Sequence, residues 1–381
     1  MTEPPVAEKR RLDNVLRALR LRRIVIAFIA AFVLQSLVAP DAQAIEMTCA
    51  SEGQPTPKAL EHNRERDDQL VAQLRLNDRT KQLFHDNAKR LAEVSRRVCF
   101  QLTLIGKIEI GDAKKLEAKL RSEPWITDLS LVSPGGNVEE AIEMGRIVRR
   151  YLISIAVPAF STCSTEVLAF EQRILRQNDP PTWCHPKNLA RINKFGAAVC
   201  TKAGISPSDC VCASACVFVL AGAPVRTIAA TVYLDVRIWP NGNVEYLSYS
   251  NIGIHRPTAA WISSIGGADA MAALQRLRAV LARALTDFEV PAEMLDLMYG
   301  MASSQIRFLT QEEVNRLLPM MTPAWEEKAT QTCGSGTLAE IFKAKNQLSL
   351  AGQEDSAPFR QLDAQASCLF AVRSAESVAL R

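Results

Sequence analysis

Leu129-Ser130-Leu131-Val132-Ser133-Pro134-Gly135-Gly136 is the stretch that decides the fold. A short apolar run ends on a proline and two adjacent glycines. From Val138 to Tyr151 the chain then sets Val138, Ala141, Ile142, Gly145 and Val148 on one helical face. Glycines between a strand and a helix let backbone amides point into a shared concavity, which the helix N-terminus makes electropositive. Taken alone, the pair reads as a tight strand-to-helix turn.

The same alternation extends on both sides. Leu102-Thr103-Leu104-Ile105-Gly106 reads as a strand, Gly111-Asp112 opens a helix through Leu120, and Ile153 to Val157 reads as another strand. Strands alternating with amphipathic helices predict crossover units around a parallel sheet, hence the α/β class. Further on, Thr231 to Ile238 and Val244 to Ser248 flank Pro240-Asn241-Gly242-Asn243, the signature of a hairpin turn. Two helices are expected at about Asp269–Phe288 and Pro291–Met301, and a shorter one begins at Thr310, where Glu313 completes a capping box. Lys58 to Val98 is charged and helix-favouring, whereas 45–57 reads as a polar entry segment. Beyond Pro319 the tail reads as irregular, with one helix at Thr337–Asn346.

Two more segments carry chemistry. In Cys212-Ala213-Ser214-Ala215-Cys216 a hydroxyl sits between small neighbours at the entrance of an apolar helix running through Ala221, and in Gly253-Ile254-His255-Arg256-Pro257 an imidazole ends an apolar run. Singly, Ser214 reads as an N-cap and His255 as a structural histidine. Together with the glycine pair they supply the parts of a serine acyl-transfer site, in which the hydroxyl needs a base and the oxyanion needs two amide donors.

The chain has 381 residues and a formal charge of +4. Positive charge gathers before the apolar stretch Ile24–Ala39, which is followed by Ala42-Gln43-Ala44. This pattern predicts a signal peptide over 1–44 with cleavage before Ile45, and therefore an exported, periplasmic body. The alternative is an uncleaved leader acting as an inner-membrane anchor, although its apolar stretch is shorter than the ~20 residues that span hydrocarbon. Without the leader the chain is close to neutral, which argues against a nucleic-acid partner.

All ten cysteines follow the leader, as expected of a disulfide framework. Cys49 with Cys99 and Cys333 with Cys368 are the expected staples, while the six between Cys163 and Cys216 leave the pairing open. The i, i+4 spacing of Cys212 and Cys216 is unfavourable for a bridge within regular helix. A zinc reading of Cys184, His185, Cys200, Cys210 and Cys212 lacks a Cys-x2-Cys knuckle, so neither metal nor cofactor is expected.

The order of these motifs resembles the Clp protease proteolytic subunit and, more widely, the ClpP/crotonase fold, with exported ClpP-like bacterial proteins the nearest in kind. The resemblance covers about Leu102 to Leu318. It rests on Leu102-x-Leu104-x-Gly106, Ser133-Pro134-Gly135-Gly136, Ala213-Ser214-Ala215 with Leu220-Ala221-Gly222 and Arg226, Ile254-His255-Arg256-Pro257, and Phe308-Leu309-Thr310-x-Glu312-Glu313. It implies an α/β core of repeated β-β-α units at 99–318 carrying a Cys-rich insertion at 158–211, preceded by a helical segment at 45–98 and followed by an appendage at 319–381.

The resemblance makes Ser214 the nucleophile, His255 the general base, and the amides of Gly136 and Ala215 the oxyanion hole. Where the family has its aspartate this chain has Ile306, beside Gln305. The third member is left among Gln305, Asp296, Glu293 and Asp287. The implied activity is that of a serine peptidase acting on a peptide or protein, with self-association of the fold as a further expectation. The alternative is a ClpP-like binding protein that has lost turnover. Acyl-CoA chemistry of the crotonase type is disfavoured by the exported compartment and by a Ser-His pair.

Overall fold

In the computed structural model, which describes residues 45–53, 65, 69, 74, 76–94, 97–158, 162–163, 199–200, 204–206, 209–228, 233–238, 244–257, 267–302 and 305–381, the alternation from Leu102 to Val157 builds a parallel sheet. The leader, most of the insertion and the Pro240–Asn243 turn lie outside the described residues.

The first strand, β1 (Glu46–Gly53), corrects the reading of this stretch as a polar entry segment. After helix α1 (Asp78–Ala92), β1 meets β2 (Val98–Ile105) in antiparallel register, and the Cys49–Cys99 disulfide ties the two together. A strand at a sheet edge, fastened covalently, needs little apolar alternation of its own.

Next come α2 (Asp112–Ser122), β3 (Asp128–Val132), α3 (Val138–Arg150) and β4 (Ser154–Val157), each within two residues of its expected bounds. Leu102, Leu104, Leu129, Leu131 and Ile155 are wholly buried in the sheet. Asn137 caps α3 by accepting from the Glu140 amide at 2.9 Å. Such a cap contributes about 1 kcal/mol.

The chain continues through β5 (Thr162–Cys163), β6 (Cys212–Ala213), α4 (Cys216–Gly222) and β7 (Arg226–Ile228). The first sheet has the order β1-β2-β3-β4-β7, parallel from β2 onward. Every residue of α4 is buried, and a Cβ on Gly222 would stand 2.2 Å from the Gly145 carbonyl oxygen, so α4 and α3 cross in backbone contact. Arg226 is buried under this crossing and donates from Nη2 to the carbonyls of Ala221 and Phe288. Burial pushes its guanidinium down to about 9, with the nearby Arg149 adding to the effect.

A second sheet holds β8 (Tyr233–Ile238), β9 (Val244–Ile254) and β10 (Arg307–Thr310) in the order β10-β9-β8-β5, with β6 parallel to β9. Between β9 and β10 lie α5 (Gly267–Asp287) and α6 (Glu293–Tyr299); α7 (Gln311–Leu317) follows with the expected Thr310–Glu313 capping box.

The tail is more regular than its sequence suggests. Three helices, α8 (Pro323–Cys333), α9 (Leu338–Leu350) and α10 (Ala357–Ala379), replace the expected irregular chain with one helix. On the buried face of α10, Leu369, Val372 and Val378 are interspersed with Ala364, Ala366, Arg373, Ala375 and Ser377, so the large apolar residues make no legible stripe. Cys333–Cys368 joins α8 to α10 as the sequence pairing expected. Arg373, 3% exposed, donates to the carbonyls of Thr127 (2.7 Å) and Leu152 (3.0 Å) and to Asp128 Oδ1 (3.0 Å). These are the residues that lead into β3 and β4, so α10 covers the sheet at the end away from Ser133.

Candidate active site

Ser214 lies where the two sheets meet. Cys212 and Ala213 pair with Ile252 and Gly253 of β9 on one side, and Cys212 bridges to Ser133, just past β3, on the other. The Ala213 amide donates to Ser133 O at 2.9 Å and the Ser214 amide to Gly253 O at 2.8 Å. Between this strand and α4 the backbone turns sharply, and Ser214 takes φ +58°. A non-glycine residue in the left-handed region is costly and is held there by its surroundings. The reading of Ser214 as an N-cap is therefore corrected: Ala215 is the N-cap, and Ser214 occupies the turn before it.

The bridge between Cys212 and Cys216 spans this turn, with Cα atoms 5.3 Å apart and both residues wholly buried. The spacing argument against it fails because Cys212 is on a strand and only Cys216 is helical. The disulfide lies in the main core behind Ser214, so it braces the turn and leaves the cleft open.

The glycine pair packs on the other side of the hydroxyl. Gly135 has φ +106° and Gly136 φ +138°. A Cβ on Gly135 would stand 2.8 Å from Ser214 Oγ, and one on Gly136 would stand 2.2 Å from Ile108 O. Ile108 donates to Gly135 O at 2.8 Å and accepts from the Asn137 amide at 2.9 Å, locking the loop after β2 onto the glycines. Among the described residues the amides of Gly136 and Ala215 have no acceptor. Both residues border the same cavity as Ser214 and His255, about 300 Å³ with its open mouth included and closed by Val138, Phe218, Pro257 and Met298.

His255 follows directly on β9. Its Nε2 is 2.5 Å from Ser214 Oγ, and its Nδ1 is 2.7 Å from the carbonyl oxygen of Arg256. A carbonyl only accepts, so Nδ1 carries the proton and Nε2 presents its lone pair to the hydroxyl. Because Ser214 and Gly253 are joined by a backbone hydrogen bond, the β6–β9 ladder fixes both halves of the pair at once.

The four candidates for the third position go elsewhere. Asp296 pairs with Arg278 at 3.1 Å and Glu293 with Arg316 at 2.7 Å. Asp287 is exposed at the last residue of α5, and Gln305 is exposed, with its backbone N–H donating to Ala302 O. The register Arg307↔Ile254 and Phe308↔Gly253 sets Ile306 opposite His255, with 55% of its surface exposed. The acceptor that sequence reasoning missed is the Arg256 carbonyl. Every residue has a carbonyl, so nothing in the residue types marks this one.

The described disulfides place the chain in an oxidising, exported environment. Cys200–Cys210 and Cys212–Cys216 take three of the proposed zinc ligands out of contention as thiolates, while Cys184 and His185 lie outside the described residues. Among the described residues no group of three or more His, Cys, Asp or Glu side chains could hold a metal ion, and no helix is long and apolar enough to cross a membrane. No family model, curated protein or solved structure matches the chain.

Proposed function

We propose that the chain is an exported serine hydrolase with a ClpP-like core, acting as a peptidase. The observation that carries this reading is the 2.5 Å approach of His255 Nε2 to Ser214 Oγ, with Nδ1 already committed to a carbonyl. In this arrangement the hydroxyl gives its proton to Nε2 as Oγ attacks the scissile carbonyl. The imidazolium then returns that proton to the leaving amine, and water repeats the cycle on the acyl-enzyme. The two amides without acceptors, Gly136 and Ala215, suit the oxyanion; one such donor is worth about 3 kcal/mol in transition-state stabilisation. A substrate backbone would lie as an added strand beside the Gly135-Gly136 loop.

A fluorophosphonate probe tests the assignment on the oxidised protein. We expect covalent labelling of the wild type and, in Ser214→Ala, a fall of at least ~10³-fold with the fold retained. Labelling that survives this substitution would refute Ser214 as the nucleophile. The exposed Ile306 opposite His255 favours one second reading, a peptide-binding protein of the same fold without turnover, and absence of labelling in the wild type selects it.

A further inference from the structure

A carbonyl orients an imidazole only as well as its own peptide is held. The Arg256–Pro257 peptide, which carries this carbonyl, lies beyond the last residue of β9, where no ladder constrains it. Its anchor comes from the side chain of the same residue. Arg256 Nη2 donates to the carbonyl of Tyr299 at 2.6 Å. Tyr299 is the last residue of α6, and a helix leaves its final carbonyls without partners inside it. A charged donor on a carbonyl makes one of the stronger neutral-acceptor hydrogen bonds.

Tyr299 is itself held in place. The Arg278 guanidinium lies 5.0 Å from its ring centroid and pairs with Asp296 one turn back along α6. Burial pushes the Tyr299 phenol up, against the opposing effect of Arg278 and Arg256. The neighbouring Met298 closes the cavity over Ser214. Asp296, a candidate for the missing acid, thus reaches His255 at three removes, through Arg278, Tyr299 and Arg256.

We propose that Arg256 is the positioning residue of the site: its carbonyl stands where a triad has its acid, and its guanidinium fixes that carbonyl by docking on the end of α6. This role rests on the serine-hydrolase reading for its catalytic meaning but not for its geometry. An acid-based triad draws its orienting group from a distant strand. This site draws it from the residue next to the base, and α6 supplies the rigidity.

Nitrogen-15 NMR of the histidine rings, with His255→Gln to assign the signal among the four histidines, reads the tautomer directly. The wild type should show His255 protonated at Nδ1. Arg256→Ala should mix the tautomers and slow fluorophosphonate labelling about tenfold at unchanged Tm, because misorientation of a general base costs on this scale. Arg256→Lys, which keeps a charged donor of nearly the same reach, should restore the Nδ1–H tautomer and bring labelling within about threefold of wild type. Arg256→Gln, neutral and shorter, serves if the alanine variant does not fold, and should behave as the alanine variant does. An Nδ1–H tautomer and wild-type labelling retained in Arg256→Ala or Arg256→Gln would overturn the proposal. A wild type that holds the tautomer in an Arg256-dependent way yet takes no probe would remove the hydrolase reading and leave the positioning role standing.

Discussion

Ser214 and His255 share one hydrogen bond and are held in opposite ways. The serine turn is fixed by a disulfide, by backbone bonds to both sheets and by a glycine packed against the hydroxyl. The histidine depends on the end of one strand and on the carbonyl of the next residue. A left-handed Ser214 is a strained conformation that must be over-determined, whereas a strand-end histidine needs only to be aimed. The difference teaches that Ser214 carries the structural cost of this site and His255 its freedom.

The largest effect is expected where the serine turn meets the glycines. Gly136→Ala must place a methyl group against the Ile108 backbone at a φ that L residues rarely adopt. Backbone cannot yield as a side-chain tip can, so we expect a loss of more than ~3 kcal/mol in chemical unfolding, and labelling lost with it. A stable, reactive Gly136→Ala would break the comparison, because it would show that the Ser214 side is not over-determined.

A smaller effect separates covalent from non-covalent bracing. Replacing both Cys212 and Cys216 with serine removes the bridge across the turn. In a chain this size that should cost about 2–4 kcal/mol, read as a lower denaturant midpoint. The turn should also relax, so labelling should fall more steeply than in the double replacement of Cys333 and Cys368, whose bridge joins α8 to α10 far from Ser214. Equal labelling by the two double variants would show that backbone bonds alone hold Ser214.

What the sequence made legible follows the same division. The Ser133-Pro134-Gly135-Gly136 turn, the helix after it and the small residues around Ser214 are legible because steric needs are written in residue types: glycine where φ is positive, alanine where room is needed. The strand at β1 was not legible, since its partner and its disulfide, not its own pattern, make it a strand. The long α10 was missed because alanines, a serine and a buried arginine interrupt Leu369, Val372 and Val378 on its inner face. The support of His255 was missed for a different reason. A search for the acid looks for a carboxylate, and the group that takes its place is a main-chain oxygen.

Ile306 immediately precedes the edge strand β10, one step beyond the Arg307↔Ile254 pair and so across from His255; its Cγ2 lies 3.0 Å from where a Cβ on Gly253 would stand, and 55% of its surface is exposed. Ile306→Asp should therefore fold normally, and it sets a carboxylate across the strand pair from the ring. A carboxylate stabilises the imidazolium that forms during attack, which a carbonyl dipole does less well. If the base is the weaker half of the pair, labelling should rise about tenfold, equivalent to ~1.4 kcal/mol of barrier. If labelling is unchanged, the Arg256 carbonyl already does all that an acid could do here, and the two halves of the site are better matched than their supports suggest. A fall would mean that the new carboxylate draws the ring away from the Arg256 carbonyl, so that aim rather than charge limits this base.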